Sequence, residues 1–350
     1  MRIAIVGHFG SDQNYNDGQT VKTRMVYQAL QRNGFDCIDC VDTYYIKRNP
    51  LRFCFIFMKA VFSDSKFMVL LADKGRRVLF PVFYLLSKYL HKEIYHNGIG
   101  GSHALEVMEK KNWKKYLNSF CGNWVESRAM SDQLTELGVT NAVYLPNFKI
   151  LPRIAPNDLL MEYCEPYSVC TFSRVIKEKG IEDAIAAVNT INKNRNKVVL
   201  KLDIYGPITK AYETELSALL EQAPGCRYCG SVPPERSVEI IKNYYLLLFP
   251  SFWPDEGIPG TIIDSLTAGV PVLARKWPYC DEMLEHGKKG YVYPFEEPEQ
   301  LILMLSYAID HMAETINMKT NCLLKAEEYR EEVVIRQMIE LMGLKETGRG

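Results

Sequence analysis

The chain has 350 residues, of which 47% are hydrophobic, enough for two domains that each bury a core. Lysine plus arginine and aspartate plus glutamate both number 42, and the resulting zero net charge argues against a dedicated nucleic-acid binder. The charge is unevenly spread. Residues 1–150 hold 20 basic and 13 acidic residues, a net +7, and the remainder is −7, so only the first half suits an anionic partner.

Met1-Arg2-Ile3-Ala4-Ile5-Val6-Gly7 reads as a buried strand rather than a leader segment, which points to a cytoplasmic protein. No run reaches the length of a membrane span. Ten cysteines then read as free thiols. The pairs Cys37/Cys40 and Cys226/Cys229 fall at strand edges, with no nearby ligand to complete a zinc set, so ordinary cysteines are expected there.

Short β-rich runs follow in chain order: Ile3–Val6, Phe67–Leu71, Glu93–Tyr95, Val169–Phe172, Val198–Ile204, Tyr245–Phe249 and Val270–Ala274. Helical patterns lie between or beside them, among them Thr20–Arg32, Val78–Leu90, Ile181–Asn192, Tyr212–Gln222, Glu235–Asn243 and Thr261–Ala268. This alternation predicts an α/β protein with parallel sheets covered by helices on both faces. Pro152, Pro156 and Pro166 break regular structure. The predicted organisation is a first domain over 1–150, a linker over 151–165, a second domain over 166–330 and a C-terminal helix and tail over 331–350.

The second half carries the chemistry. Phe172-Ser173-Arg174-Val175-Ile176-Lys177-Glu178-Lys179-Gly180 joins a strand end to a helix start. Ligands of open α/β sheets bind at such carboxyl-end loops. Arg174 and Lys179 can grip a diphosphate there, one by a fork and one as a point charge; a solvated basic loop is the other reading. A second strand runs into Phe249-Pro250-Ser251-Phe252-Trp253-Pro254-Asp255-Glu256-Gly257-Ile258-Pro259-Gly260-Thr261, which opens a helix. Gly257 and Gly260 let backbone N–H groups approach a ligand, and the helix start favours an anion. Glu256 can accept hydrogen bonds from sugar hydroxyls, and Asp264, on the helix, from a ribose. An acidic capping turn is the bland alternative.

Glu256-x7-Asp264 resembles the E-x7-E motif of family 4 retaining glycosyltransferases, enzymes of the GT-B fold. Arg174 and Lys179 match that family's phosphate loop. Asp203-Ile204-Tyr205-Gly206, Tyr228-Cys229-Gly230-Ser231-Val232, Ala268-Gly269-Val270-Pro271-Val272 and Glu282 fall in the family's order. The resemblance runs over essentially the whole second half. It implies two Rossmann-like domains facing across a cleft, with the C-terminal helix returning to the first domain. It implies that Arg174 and Lys179 hold the diphosphate and that Glu256 touches the transferred sugar. Asp264, where the family has Glu, would hold the ribose. Gly206 and Gly230, Ser231 and Val232 would border the nucleobase, and Gly257, Ile258, Pro259, Gly260 and Thr261 would line the donor.

The first half is a weaker match. Gly18-Gln19-Thr20-Val21-Lys22-Thr23 resembles the glycine-bearing loop that follows the first strand of GT-B enzymes and borders the phosphates. It also reads as a plain helix start with a threonine cap and a solvent-facing Lys22. Tyr95-His96-Asn97-Gly98-Ile99-Gly100-Gly101-Ser102 follows a strand and resembles a His-bearing loop of related enzymes, so His96, Gly100 and Lys22 are sugar or acceptor candidates. His8, after Gly7, is a lesser one; for either histidine a structural role is the alternative.

No D-x-D occurs in the chain, which favours cationic residues over a metal at the leaving group. The expected reaction is metal-independent transfer from a nucleotide diphosphate sugar, UDP first, to a saccharide or polyprenyl-linked acceptor, with no cofactor. A GT-B nucleotide-sugar epimerase and a non-catalytic nucleotide- or glycan-binding protein are the competing readings. Residues 47–115 hold 14 basic and 5 acidic residues around the aromatic run Leu51–Phe62 and the helix Val78–Leu90. They read either as core helices or as a peripheral contact with anionic lipid at the inner face of the membrane.

Overall fold

The computed structural model describes residues 2–11 and 18–344, so residues 345–350 of the predicted tail lie outside the described residues. The chain divides into two compact units. Unit 1 is Met1–Asn147 with Glu331–Gly350, and unit 2 is Phe148–Arg330.

Unit 1 is built on six parallel strands: β1 (Ile3–Gly7), β2 (Ile38–Asp42), β3 (Lys66–Leu70), β4 (Glu93–Asn97), β5 (Gly122–Val125) and β6 (Ala142–Tyr144). Their order is β2-β1-β3-β4-β5-β6. β1 and β3 are buried along their whole length, as central strands of a parallel sheet covered on both faces must be. Three of its helices matter below: α1 (Gly18–Arg32), α2 (Pro50–Ser63) and α3 (Asp73–Leu90). The α2 start is set locally by Pro50 in the first turn and by the Asn49 side chain, which accepts from Arg52 N at 3.1 Å. The helix Glu331–Leu341 belongs to this unit: Gln337 donates to Tyr144 O at 2.8 Å and Glu331 pairs with Arg32 at 3.3 Å. The expected return of the C-terminal helix to the first domain is therefore observed.

Unit 2 has its own six parallel strands: β7 (Tyr167–Phe172), β8 (Leu200–Tyr205), β9 (Cys226–Gly230), β10 (Leu246–Phe249), β11 (Val272–Arg275) and β12 (Gly290–Tyr293). The order β12-β11-β10-β7-β8-β9 puts the first strand in the middle. The chain builds outward through β8 and β9, then returns to place β10 against the other side of β7, with Leu246 opposite Val169. The strand order thus reverses between β7 and β10. Helices α4 (Ile181–Asn194) and α5 (Gly260–Thr267) follow the loops that leave those two strands. The core of this unit packs Val169, Leu202, Ile204, Leu246, Leu248 and Leu273 against the apolar face of α4.

Two expectations need correction. The division falls at Asn147/Phe148 rather than after residue 150, because Phe148 is buried and Lys149 N donates to Tyr329 O at 3.4 Å within unit 2. Residues 151–165 are likewise part of unit 2 rather than a free linker. Tyr163 packs its ring 5.1 Å from that of Tyr245 and donates to Tyr244 O at 3.0 Å. The paired cysteines lie on or beside β2 and β9, which form edges of the two sheets, and all are free thiols. Among the described residues no group of His, Cys, Asp or Glu is arranged to hold a metal ion.

Candidate functional site

The crevice outside the carboxyl ends of strands, where the strand order reverses, is the ligand site that an open α/β sheet provides. In unit 2 that point lies between the loops after β7 and β10. The two loops are held together by backbone. Phe252 N donates to Glu178 O at 2.9 Å. Gly180, at φ +69°, lies so close to the second loop that a Cβ would meet Pro250 O at 2.2 Å. The turn after β8 closes in from the other side. Gly206, at φ +139°, would place a Cβ 1.7 Å from Ser173 O, beside Arg174. Only glycine tolerates both that conformation and that approach.

The sequence-predicted Arg174, Lys179 and Glu256 all meet at this reversal. Lys179 Nζ is ion-paired with Glu256 Oε1, which also accepts from Ser251 Oγ at 2.7 Å. Arg174 is exposed, with its guanidinium 5.0 Å from the centroid of the Trp253 ring. Lys179 lies 5.6 Å from the same ring. Trp253 therefore spaces two cations on one aromatic platform. The quoted loop contained Trp253 and Ser251, but nothing in their spacing marked them as partners of residues 174 and 179.

Behind the carboxylate, α5 begins at Gly260 with no side-chain cap and no acidic residue in its first turn. Its N-terminus keeps the partial positive charge that suits an anion. Thr261 does not point its hydroxyl at a ligand; it donates to Phe172 O and ties the helix start to β7. Gly257 is held by Trp277 Nε1, which donates to its carbonyl at 2.9 Å, and Ile258 and Pro259 are buried. Asp264 is 2% exposed and bonds through both oxygens to Lys149 Nζ, at 2.5 and 2.6 Å. Burial pushes its carboxyl pKa up, and Lys149 opposes that shift without cancelling it. Lys149 also lies over the start of α5, its Nζ 3.9 Å from where a Gly260 Cβ would stand. Sequence reasoning missed Lys149, because a pair 115 residues apart leaves no local signal.

Gly230 follows the turn on the far side, at φ +82° with open space around its Cβ position; Ser231 is exposed and Val232 half-buried. Nearby, Arg227 grips Asp203 with two bonds of 2.6 and 2.8 Å, and Tyr244 Oη donates to it at 2.6 Å. Burial raises the Asp203 carboxyl, but these donors outweigh it and hold the group below its usual range.

Unit 1 revises its candidates. Lys22 is not solvent-facing. It is 4% exposed and donates to Glu126 at 2.6 Å and Gly98 O at 2.8 Å. Thr20 is not a cap, since α1 starts at Gly18 and the Thr20 hydroxyl meets His8 Nδ1 at 2.7 Å. His96 lies on β4 rather than in the loop after it, because the strand runs on to Asn97. Its ring is buried edge-on against Phe80 at 5.0 Å and beside His103 at 5.8 Å. Both ring nitrogens lack a hydrogen-bond partner. Burial first, and Arg76 second, lower its pKa to about 3. Gly18 is exposed at the head of α1, and Gly100 sits half-buried in the loop after β4 at φ +91°.

Residues 162–324 match the family model for glycosyl transferases group 1. The matched segment holds every unit 2 residue of this site except Lys149. The chain is 21% identical over 184 residues to the amylovoran biosynthesis glycosyltransferase AmsK of Erwinia amylovora, 51% of this chain and 45% of AmsK. It is 30% identical over 131 residues to the GtfA subunit of the Streptococcus gordonii UDP-N-acetylglucosamine–peptide N-acetylglucosaminyltransferase, 37% of this chain and 25% of that one. The chain thus spans less than half the length of both relatives. In structure it resembles Anabaena HepE, solved with UDP and glucose, at TM-score 0.71 and 13% identity, over 98% of this chain and 99% of that one. It resembles the sucrose-phosphate synthase of Thermosynechococcus elongatus at TM-score 0.77 and 14% identity, over 98% of both chains. The fold is GT-B.

Two outcomes test this geometry. Lys149→Ala strands a buried carboxylate, which costs roughly 3–5 kcal/mol; its melting temperature should fall steeply, and Lys149→Met with Asp264→Leu should recover most of the loss. A Lys149→Ala protein that melts like the wild type would show the pair to be inert. His96 stays neutral in the fold down to about pH 3, whereas an unfolded histidine takes up a proton near pH 6.5. Stability is therefore full above pH 6.5 and drains as the pH falls toward 3, by at most about 1.4 kcal/mol per unit for this group. His96→Asn should flatten that slope in melts run from pH 7.5 to 4.5, and an unchanged slope would clear His96 of the effect.

Proposed function

We propose that the chain is a retaining family 4 glycosyltransferase that moves a sugar from a nucleoside diphosphate, uridine first, to a saccharide or polyprenyl-linked saccharide. It would work without a metal, in the cytoplasm at the inner face of the membrane. The observation that carries the reading is the meeting of Arg174, Lys179 and Glu256 with the open start of α5 at the strand-order reversal of a group 1 domain. HepE, solved with UDP and glucose, supports the choice of donor.

The chemistry follows from where charge develops. Breaking the glycosidic bond loads negative charge onto the departing diphosphate. Arg174, Lys179 and the N-terminus of α5 are fixed before that charge appears, so they favour the transition state over the ground state. In the free protein Lys179 is held by Glu256. An entering diphosphate competes for the ammonium and releases the carboxylate to accept hydrogen bonds from the sugar. One ion pair becomes two substrate contacts. Asp264 has lone pairs left after binding Lys149 and takes the ribose hydroxyls. Retention comes from the family resemblance, with the leaving phosphate as the group that takes the acceptor's proton, so no side chain is assigned as base.

Arg174→Ala is the cleaner charge deletion, because the side chain is exposed. It should slow transfer roughly 10²- to 10³-fold and weaken UDP binding. Lys179→Ala should do the same in protein that still melts cooperatively. Glu256→Gln should bind UDP and transfer poorly. Turnover should survive EDTA. Unchanged kinetics in both cation variants, or activity abolished by chelator and restored by Mg²⁺, would overturn this reading.

A further inference from the structure

Helices α2 and α3 each bury one face and expose an apolar one. α2 packs Phe53, Phe57, Ala60 and Val61 into unit 1. Its opposite stripe is Leu51, Phe55, Met58 and Phe62, spaced 4, 3 and 4 residues apart; Leu51 is 84%, Phe55 73% and Phe62 81% exposed. α3 repeats the pattern. Leu79, Phe80, Phe83 and Leu86 are buried, while Val78, Val82, Leu85 and Tyr89 form a stripe at the same spacing, three of them more than half exposed. The two helices are neighbours, with Phe57 and Phe83 packed edge to face at 5.9 Å. Such exposure has a cost in water that a soluble surface normally avoids.

The surroundings choose the occupant. Lys47, Arg48, Arg52 and Lys59 are exposed on and before α2, and Arg77 and Lys88 on α3. The two helices carry a single acid, Asp73, and it is already paired with Arg77 at 2.7 Å and Lys110 at 2.5 Å. Apolar side chains ringed by cations match an acyl boundary beneath anionic headgroups. Among the described residues no helix is long and apolar enough to cross a membrane, so the arrangement is one that lies on a bilayer.

We infer that the exposed face of α2 and α3 docks unit 1 on an anionic lipid bilayer, with Phe55 and Phe62 inserted and the flanking lysines and arginines at the headgroups. This deepens the membrane-face reading above, and its test does not depend on catalysis. The full chain is co-sedimented with phosphatidylglycerol-containing and pure phosphatidylcholine vesicles at low and high salt. Wild type should bind the anionic vesicles strongly and the neutral ones weakly. Lys47→Glu with Arg48→Glu and Arg52→Glu should lower partitioning at least about a hundredfold, since each surface cation is worth about fivefold. Phe55→Ser with Phe62→Ser should bind anionic vesicles at low salt and release at high salt. All are surface changes, and thermal melts check that the fold persists. Absent wild-type binding to anionic vesicles overturns the inference, as does binding that neither variant reduces. So does a concentration-dependent dimer abolished by Phe55→Ser with Phe62→Ser, which would make a second copy the occupant. Vesicle binding with no transfer activity would leave this surface standing and remove the proposed function instead.

Discussion

The ion pair between Lys179 and Glu256 joins two loops 77 residues apart, and the site depends on it. A largely buried pair of this kind is weak evidence of stability, because desolvating both charges consumes most of their attraction. Its value is positional. The adjacency of β7 and β10 forces the loops together, and Gly180 lets them touch. The pair then fixes the ammonium and the carboxylate on one side of the α5 start, each neutralised while no ligand is present. On the proposed reading, a diphosphate would take over these charges, and the arrangement would be preorganised without being closed to its ligand.

How much of this the chain announces depends on whether a signal is local. Runs that become central strands, such as Ile3–Val6 and Leu246–Phe249, are apolar throughout and stand out. β5 does not, because Asn123 occupies its core, its amide nitrogen donating to Leu117 O at 2.9 Å and Asn141 Oδ1 at 2.8 Å. The two site loops were legible for the same reason as the central strands: glycines and charges cluster within each. Their partners were not. Lys149 reaches Asp264 and Trp253 reaches Arg174 only through topology. Lys22 misled in the other direction. A lysine near a helix start reads as solvated, yet Glu126, 104 residues away, draws it inside.

That burial also sorts the charge of the first half. Lys22 and Arg76 are cancelled internally, by Glu126 at 2.6 Å and Glu106 at 2.6 Å. Internal cations of this kind cannot attract a distant partner, because each is matched within hydrogen-bond distance and the pair looks neutral from outside. The surplus of unit 1 is therefore concentrated on its surface. α2 and α3 hold a large part of it, on side chains that face solvent beside apolar ones. Net charge alone could not separate these cases; burial does.

The Asp264 position shows how a short carboxylate side chain on α5 is held. A glutamate on α5 would extend one methylene further than Asp264 does. The aspartate is drawn back, and its charge is shared with Lys149, whose ammonium stands over Gly260 at the start of the helix. The cation therefore serves two anions at once: the carboxylate beneath it and any group approaching the helix N-terminus, where it adds to the partial positive charge of the backbone. A carboxylate held in this way is raised in pKa by burial yet keeps a permanent counter-ion. On the proposed reading, ligand affinity here would rest on the Lys149–Asp264 unit rather than on the acid alone. Removing either partner alters the electrostatics of the helix start.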